Sequence, residues 1–390
     1  MNNKQKTNPK ADILIVDDTP ANLRLLSKML GGHGYKVRPV PDGSLAIAAV
    51  ESNPPDLILL DIKMPHMDGY EVCQHLKADQ ATSDIPVLFI SALDQIQDKV
   101  TAFNTGGVDY ITKPFQIEEV LARVKTHLEL RRLQKQLLEK NKKMEMELTL
   151  AGEVQKSFLP LETPQIEGWQ LSFALLPARD TSGDFYDTFL LSDDQLGIII
   201  ADVVDKGVGA ALFMALSYAL LRTYVTDYPS QPEQVFNIVN QRILDYTTAS
   251  QFITIFYGIL DLKSGEMVYC NAGHCPPLLV RKINGGPLQE LKRTGIPLGI
   301  YKQEIWNQRA EVLGSGDFLV MYTDGITDAE NHLHDLFGEQ NLWQSISKLK
   351  GKESREILEG ILVDVDSFTG ETPQYDDITL GVVKRKREKK

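Results

Sequence analysis

The chain has 390 residues, 43% hydrophobic, 8% aromatic and 24% charged, a globular composition that excludes wholesale disorder and collagen-like fibres. That length exceeds one comfortable core and predicts about two or three domains. Lys and Arg number 41 against 53 Asp and Glu, a net charge of −12, which argues against a general nucleic-acid binder because phosphate backbones need a basic face. The one basic block, Lys384 to Lys390, reads as a solvated tail. Cys73, Cys270 and Cys275 form no CxxC pair, against both a disulfide framework and structural zinc. The N-terminus lacks an apolar core, so no signal peptide is expected. Apolar runs such as Leu196 to Ala201 are too short to span a bilayer. A cytoplasmic protein with no membrane association is expected.

From Ala11 to about Leu128, strands and helices alternate. Ile13 to Val16 is a β-rich run, followed by an amphipathic stretch with Leu23, Leu26, Met29 and Leu30 on one face. Tyr35 to Val40, a helix over Ser44 to Glu51, and the apolar run Leu57 to Leu60 come next. A helix over Gly69 to Lys77 precedes strands at Val87 to Ile90 and Asp109 to Thr112, with another helix between them. Fully apolar strands between amphipathic helices predict a parallel sheet covered on both faces, here a doubly wound α/β domain.

Gln116 to Phe158 contains no proline and only Gly152. Leu130, Leu137, Met144, Ala151 and Phe158 recur every seven residues, with Leu133 and Val154 on the neighbouring position. That spacing predicts a coiled-coil seam and a homodimer, weakened where Lys140 and Glu147 interrupt it; the alternative is a single solvated helix packed on its own domain. Pro160 ends the helix.

Beyond Trp169, β-rich runs (170–175, 185–190, 197–202, 252–261, 266–271, 277–283, 317–323 and 378–383) are separated by turn residues. Helices over Gly209 to Tyr224 and Pro232 to Thr248 interrupt them. Strands in series with segregated helices predict an α+β domain, antiparallel sheets packed between helices. The predicted organisation is a first domain at 11–128, a helical linker at 129–158, a second domain at 159–384 and a basic tail at 385–390.

In the first domain, Asp17, Asp18, Asp61, Ser91 and Lys113 all end strands. The carboxyl ends of a doubly wound sheet form its ligand crevice. Carboxylates that close need a divalent cation to stay ionised, and hard oxygen ligands suit Mg²⁺. Lys113 and Ser91 are placed to contact phosphoryl oxygens. Residues 11 to 130 resemble a response-regulator receiver domain through IVDD at 15–18, LLDIKMPHMDG at 59–69, SA at 91–92 and DYITKPF at 109–115. The resemblance implies that Asp61 accepts a phosphoryl group from a sensor histidine kinase. It implies Mg²⁺ held by Asp18 and Asp61, assisted by Asp17 and the Lys63 carbonyl. It makes Ser91 and Tyr110 a switch pair and Lys113-Pro114 a cis junction.

In the second domain, aspartates sit beside strands at Ser182 to Asp187, Ala201 to Val203, Thr323 to Asp328 and Asp376 to Thr379. Any single Asp-Gly pair is ordinarily a turn. Several converging Asp without Cys or His ligands favour Mg²⁺ or Mn²⁺ over zinc, and two such ions serve phosphoryl transfer to water. Cys275 lacks the Cys-x5-Arg loop of a cysteine phosphatase. Leu159 to Val383 resembles the metal-dependent PPM (type 2C) protein phosphatases of the bacterial sporulation and stress branch. The stretches are PARDTSGDFYD at 177–187, ADVVDKGVGAALFM at 201–214, NAGHCPPLL at 271–279, GIPLGI at 295–300, GDFLVMYTDGITDAEN at 316–331 and DDITLGVV at 376–383. The resemblance implies that Asp202 bridges two metals with the Val203 carbonyl. Asp324 and Asp376 complete the shell, Asp377 is not separated from Asp376, and Asp184 holds water. Arg179 is a phosphate ligand or a surface salt bridge. His274 is a proton donor or a loop cap. Val204 and Gly209 depart from the branch without removing a ligand.

Together these resemblances imply a two-component response regulator with a phosphoserine/phosphothreonine phosphatase output. The implied substrate is a phosphorylated anti-sigma-factor antagonist, hydrolysed without a phosphoenzyme. The alternative is an inactive adaptor that binds a sigma-factor regulator; it predicts a lost metal ligand, and every ligand position is filled. A transcription factor would need a basic recognition helix, which the acidic body does not offer. Phosphorylation at Asp61 would bias dimerisation, and the helix after Gln116 would carry the change; activation and inhibition are equally compatible with the sequence.

Overall fold

The computed structural model describes residues 9–91, 96–160, 162–247, 251–281 and 288–387. The chain divides into two compact units, Met1–Lys143 and Met144–Lys390. Ala92 of the first signature, the predicted strand end at Ile283, the helix end at Thr248 and tail residues 388–390 lie outside the described residues.

In the first unit the elements run β1 (Asp12–Val16), α1 (Pro20–Gly32), β2 (Lys36–Val40), α2 (Gly43–Ser52), β3 (Leu57–Asp61), α3 (Gly69–Ala78), β4 (Val87–Ser91), α4 (Ile96–Asn104), β5 (Asp109–Thr112) and α5 (Ile117–Lys156). The sheet is parallel, in the order β2-β1-β3-β4-β5. Its central strands are apolar throughout because both faces are covered. Leu14, Val16, Ile58, Leu60, Val87 and Phe89 meet Val50, Val72 and Leu76 of α2 and α3. The alternate residues Ile13, Ile15, Leu57, Leu59, Leu88 and Ile90 meet Leu26 and Leu30 of α1 and Val120 and Val124 of α5. Asp68 starts α3 with a reciprocal capping box to Glu71. That start sits against the end of β3, where a Cβ on Gly69 would lie 2.3 Å from the Asp61 carbonyl oxygen.

Helix α5 runs 40 residues without a break. Leu130, Leu133, Leu137 and Met144 of the predicted seam are exposed. Val154 and Phe158 of the seam are exposed as well, although Phe158 stacks obliquely on Tyr218 with ring centroids 6.0 Å apart.

The second unit contains β6 (Trp169–Leu176), β7 (Phe185–Ser192), β8 (Gln195–Val203), α6 (Val208–Asp227), α7 (Pro232–Tyr246), β9 (Ile253–Asp261), β10 (Glu266–Ala272), β11 (Leu278–Val280), β12 (Gln289–Glu290), β13 (Arg309–Val312), β14 (Phe318–Tyr322), α8 (Asp324–Thr327), α9 (Gly338–Lys348), α10 (Ser354–Thr369) and β15 (Ile378–Arg385). Two antiparallel sheets form, ordered β13-β10-β9-β8-β7 and β12-β11-β14-β15-β6. Leu196, Ile198, Phe256, Leu319, Met321 and Val383 fill the layer between them. Helices α6 and α7 cover the first sheet through Phe213, Leu221, Phe236 and Val239. Helices α9 and α10 cover the second through Leu342, Ile346, Ile357 and Ile361.

Three expectations need correction. Helices α9 and α10 were not foreseen, although Ile357, Leu358, Ile361 and Val365 have helical spacing. The tail begins later than predicted: Lys384 is buried, and Arg385 pairs with Trp169 in β15 and donates to the carbonyls of Lys263, Ser264 and Leu313. Helix α6 is long and apolar enough to cross a membrane by length and composition, which counting only uninterrupted apolar runs concealed. Here it packs on the first sheet, with Ala210, Phe213, Met214, Ser217, Leu221 and Val225 buried.

The close approach of Gly69 to the end of β3 yields a prediction. Gly69→Ala should destabilise the first unit by about 1–3 kcal/mol, the usual cost of an inserted methyl that cannot be accommodated. Hydrogen exchange of the β3 amides in the full chain, with and without urea, measures it; unchanged protection would refute the clash.

Candidate functional sites

The first site forms where β1, β3, β4 and β5 end side by side. Asp17 is fully buried and Asp61 nearly so, whereas Asp18 is exposed. Carboxylate oxygens of Asp17, Asp18 and Asp61 lie within 4.8 Å of one another, the one such acidic group among the described residues. Thr19 N donates to Asp17 Oδ1 at 2.8 Å, and Asn22 Nδ2 donates to both oxygens. Lys113 Nζ donates to Asp17 Oδ2 at 2.9 Å and to Asp61 Oδ2 at 2.8 Å. Burial pushes the Asp61 carboxyl up, and the Lys113 ammonium opposes this without cancelling it. Ser91 is buried at the end of β4 beside Thr112 of β5. Tyr110 packs edge-on against Phe103 with centroids 6.3 Å apart. The Lys113-Pro114 bond is cis, and Lys63 lies on the rim of an open recess with Asp18 and Met64.

The second site lies where β8 and β14 end and β15 begins, with the segment before β7. Asp184 is buried, and its Oδ2 accepts from Thr323 Oγ1 and Thr379 Oγ1, both at 2.7 Å. Burial, then the Asp202 charge, push its carboxyl well above the ordinary range. Asp202 is pushed up to about 7 by burial and by Asp324, with a hydrogen bond to Asp184 opposing. Asp324 is also raised, by burial and then by Asp376 and Asp328. The charges of these carboxyls act on one another, Asp184 with Asp202, Asp202 with Asp324 and Asp376, and Asp324 with Asp376. Val203 closes β8, and a Cβ on Gly183 would lie 3.1 Å from its carbonyl oxygen.

Asp376 and Asp377, inseparable in the sequence, face different partners. Asp377 accepts from Ala178 N at 2.7 Å, Gly183 N at 2.8 Å and Ser182 Oγ at 2.9 Å. It therefore holds the loop leading to Asp184. Asp376 instead pairs with Lys206 Nζ at 3.1 Å. Arg179 is exposed on the same loop and, among the described residues, has no ion-pair partner, so the salt-bridge reading finds no support.

His274 is buried, with Nδ1 at 2.9 Å from Thr254 Oγ1. Burial and then Arg293 push its pKa down to about 3. Burial thus favours its neutral form, which disfavours a proton-donor role. Cys275 is half-buried, and its thiol is pushed up to about 12 by burial and then by Asp324.

Two residues escaped the sequence reading. Ser182 N donates to Gln155 Oε1 at 2.9 Å, and Gln155 Nε2 donates back to the Ser182 carbonyl. The last turns of α5 therefore grip the Arg179 loop, and a Cβ on Gly152 would lie 2.0 Å from the Asp180 carbonyl oxygen. Lys206 is the second omission. Gln155 sits next to a seam position and offers no separate signal; Lys206 lies inside the quoted 201–214 stretch but is not an acidic ligand type.

A model of the response regulator receiver domain matches residues 13–125. That of stage II sporulation protein E (SpoIIE) matches residues 192–386, half of the chain. The chain belongs to the SpoIIE family. Asp184 and Arg179 precede the matched segment. Protein IcfG of Synechocystis sp. is 33% identical over 266 residues, 62% of this chain but 42% of IcfG, so the chain spans less than half of that relative. The phosphoserine phosphatase RsbU of Bacillus subtilis is 29% identical over 244 residues, 62% of this chain and 70% of RsbU. The SiaA-PP2C domain of Pseudomonas aeruginosa shares the fold, with a TM-score of 0.57 at 21% identity over 63% of this chain and 98% of that one.

The raised Asp202 carboxyl predicts a pH dependence. From an ordinary value of 3.8 to its folded value of about 7, the native state binds more protons than the unfolded state. Stability in chelator should therefore fall as pH rises through that window. Asp202→Asn should flatten the fall of Tm between about pH 5 and pH 7.5. Equally steep profiles for both proteins would contradict the assignment.

Proposed function

We propose that the chain is a two-component response regulator whose second unit is a metal-dependent phosphoserine/phosphothreonine phosphatase. The observation that carries this reading is the cluster of carboxyls, Asp184 buried and Asp202, Asp324 and Asp376 half-buried, brought together at the ends of β8 and β14 and the start of β15. Burying like charges together is costly, and the groups retain protons unless cations balance them. All-oxygen donors suit Mg²⁺ or Mn²⁺. Asp202, with the Val203 carbonyl, would be shared by two ions, and Asp324 and Asp376 would complete their ligands. Such ions lower the pKa of a bound water and offset phosphoryl charge. Asp184, held by Thr323 and Thr379, would orient water. Asp377 sets the loop that presents Arg179 to the substrate phosphate.

In the first unit, Asp61 is the phosphoacceptor for a sensor histidine kinase, with Mg²⁺ held by Asp18 and Asp61, Asp17 and the Lys63 carbonyl assisting. Ser91 and Tyr110 respond to the phosphoryl group, while Lys113 bridges Asp17 and Asp61. The α5 helix belongs to both units and would carry the response. Its exposed Leu130, Leu133, Leu137 and Met144 fit a homodimer seam. Likeness to the phosphoserine phosphatase RsbU supports a phosphoserine substrate, which we take to be a phosphorylated anti-sigma-factor antagonist in the cytoplasm.

Hydrolysis of p-nitrophenyl phosphate with Mn²⁺ tests the output. Activity should fall by about 100-fold or more in Asp202→Ala and in chelator, the scale on which loss of electrostatic stabilisation acts. No activity with any divalent metal would refute the reading. For the input, an acyl-phosphate donor should change the rate of wild type and not of Asp61→Ala. Identical rates for both proteins under both conditions would refute coupling.

A further inference from the structure

Lys206 lies in the loop between β8 and α6, between two residues of left-handed backbone, Asp205 (φ 80°) and Gly207 (φ 82°). Its ammonium donates to the Tyr375 carbonyl at 2.7 Å, pairs with Asp376 Oδ2 at 3.1 Å and lies 3.6 Å from the Tyr375 ring centroid. Only 23% of the side chain is accessible. Its field draws the Asp324 carboxyl down, against burial and the Asp376 and Asp328 charges. Among the described residues, no other Lys or Arg is paired with Asp184, Asp202, Asp324 or Asp376.

The charge balance of the site is consequently lopsided. Asp184, on the inner side of Asp202, is satisfied by two neutral hydroxyls. Asp376, on the outer side, pairs with a fixed cation whose field also reaches Asp324. An ammonium and a divalent ion drawn to the same carboxylate oppose each other, because like charges about 4 Å apart repel where water is scarce.

We propose that Lys206 is an internal counter-ion that competes with a divalent cation for the outer, Asp324–Asp376 half of the site. This inference rests on the metal-site reading above. The ammonium's charge would weaken cation binding at Asp324 and Asp376, so that half would be the weaker one, its occupancy set by a group of the chain itself. The Tyr375 ring and carbonyl, which now hold the ammonium in place, strengthen the competitor.

Calorimetric titration of the full chain with Mn²⁺ tests this, in an Asp18→Asn background that removes binding at the receiver trio. Lys206→Gln should tighten the weaker binding step about tenfold, the effect of roughly 1.4 kcal/mol of relieved repulsion. Lys206→Arg, which keeps the charge, should leave that step weak, and Tyr375→Leu should tighten it by a smaller factor. A weaker step unchanged or weakened in Lys206→Gln would overturn the inference while leaving the metal site intact. Absence of Mn²⁺ binding in both wild type and Lys206→Gln would overturn the metal-site reading, and the inference with it.

Discussion

Carboxylates repel, and this chain gathers them twice. At each place the cost is met by arranging donors around the acids rather than by dispersing them. In the first unit one ammonium, Lys113, reaches two buried carboxylates at once, 2.9 Å from Asp17 and 2.8 Å from Asp61. In the second, threonine hydroxyls hold Asp184, backbone amides hold Asp377, and Lys206 sits against Asp376. The sheets around both sites are apolar and close-packed, so the acids cannot move apart without disturbing a core.

Glycine enforces the same constraint from outside. Gly69 packs on the Asp61 carbonyl, and Gly325 packs on that of Asp377, where a Cβ would lie only 1.9 Å from the oxygen. In the first unit a helix start is pressed against the end of a strand, and in the second against the start of one, each time at a backbone carbonyl of an acid. The helix thereby fixes the height at which that acid emerges.

Much of this was legible in the sequence. Runs such as Leu57 to Leu60 gave the parallel sheet because a strand buried on both faces must be apolar throughout. Asp202 and Asp324 were found because each follows such a run. What escaped depends on contacts between distant segments. Nothing local distinguishes Asp377 from Asp376; the difference lies in amides of Ala178 and Gly183, about 200 residues away by number. Gln155 reads as one more polar residue on a long helix until the chain returns at Ser182. Helix α10 was overlooked because its apolar positions lie between stronger β signals, and Lys384 and Arg385 were assigned to a tail on charge alone, although strand pairing holds both.

Cys275 shows how the acid cluster governs neighbours with no part in its chemistry. Its thiol is partly accessible beside Asp324, yet burial and surrounding negative charge hold its pKa near 12. Alkylating agents and disulfide reagents attack the thiolate, which is almost unpopulated here at neutral pH. In the metal-free protein a half-buried cysteine beside Asp324 is thus a poor handle for thiol reagents, and thiol oxidants would spare it for the same reason.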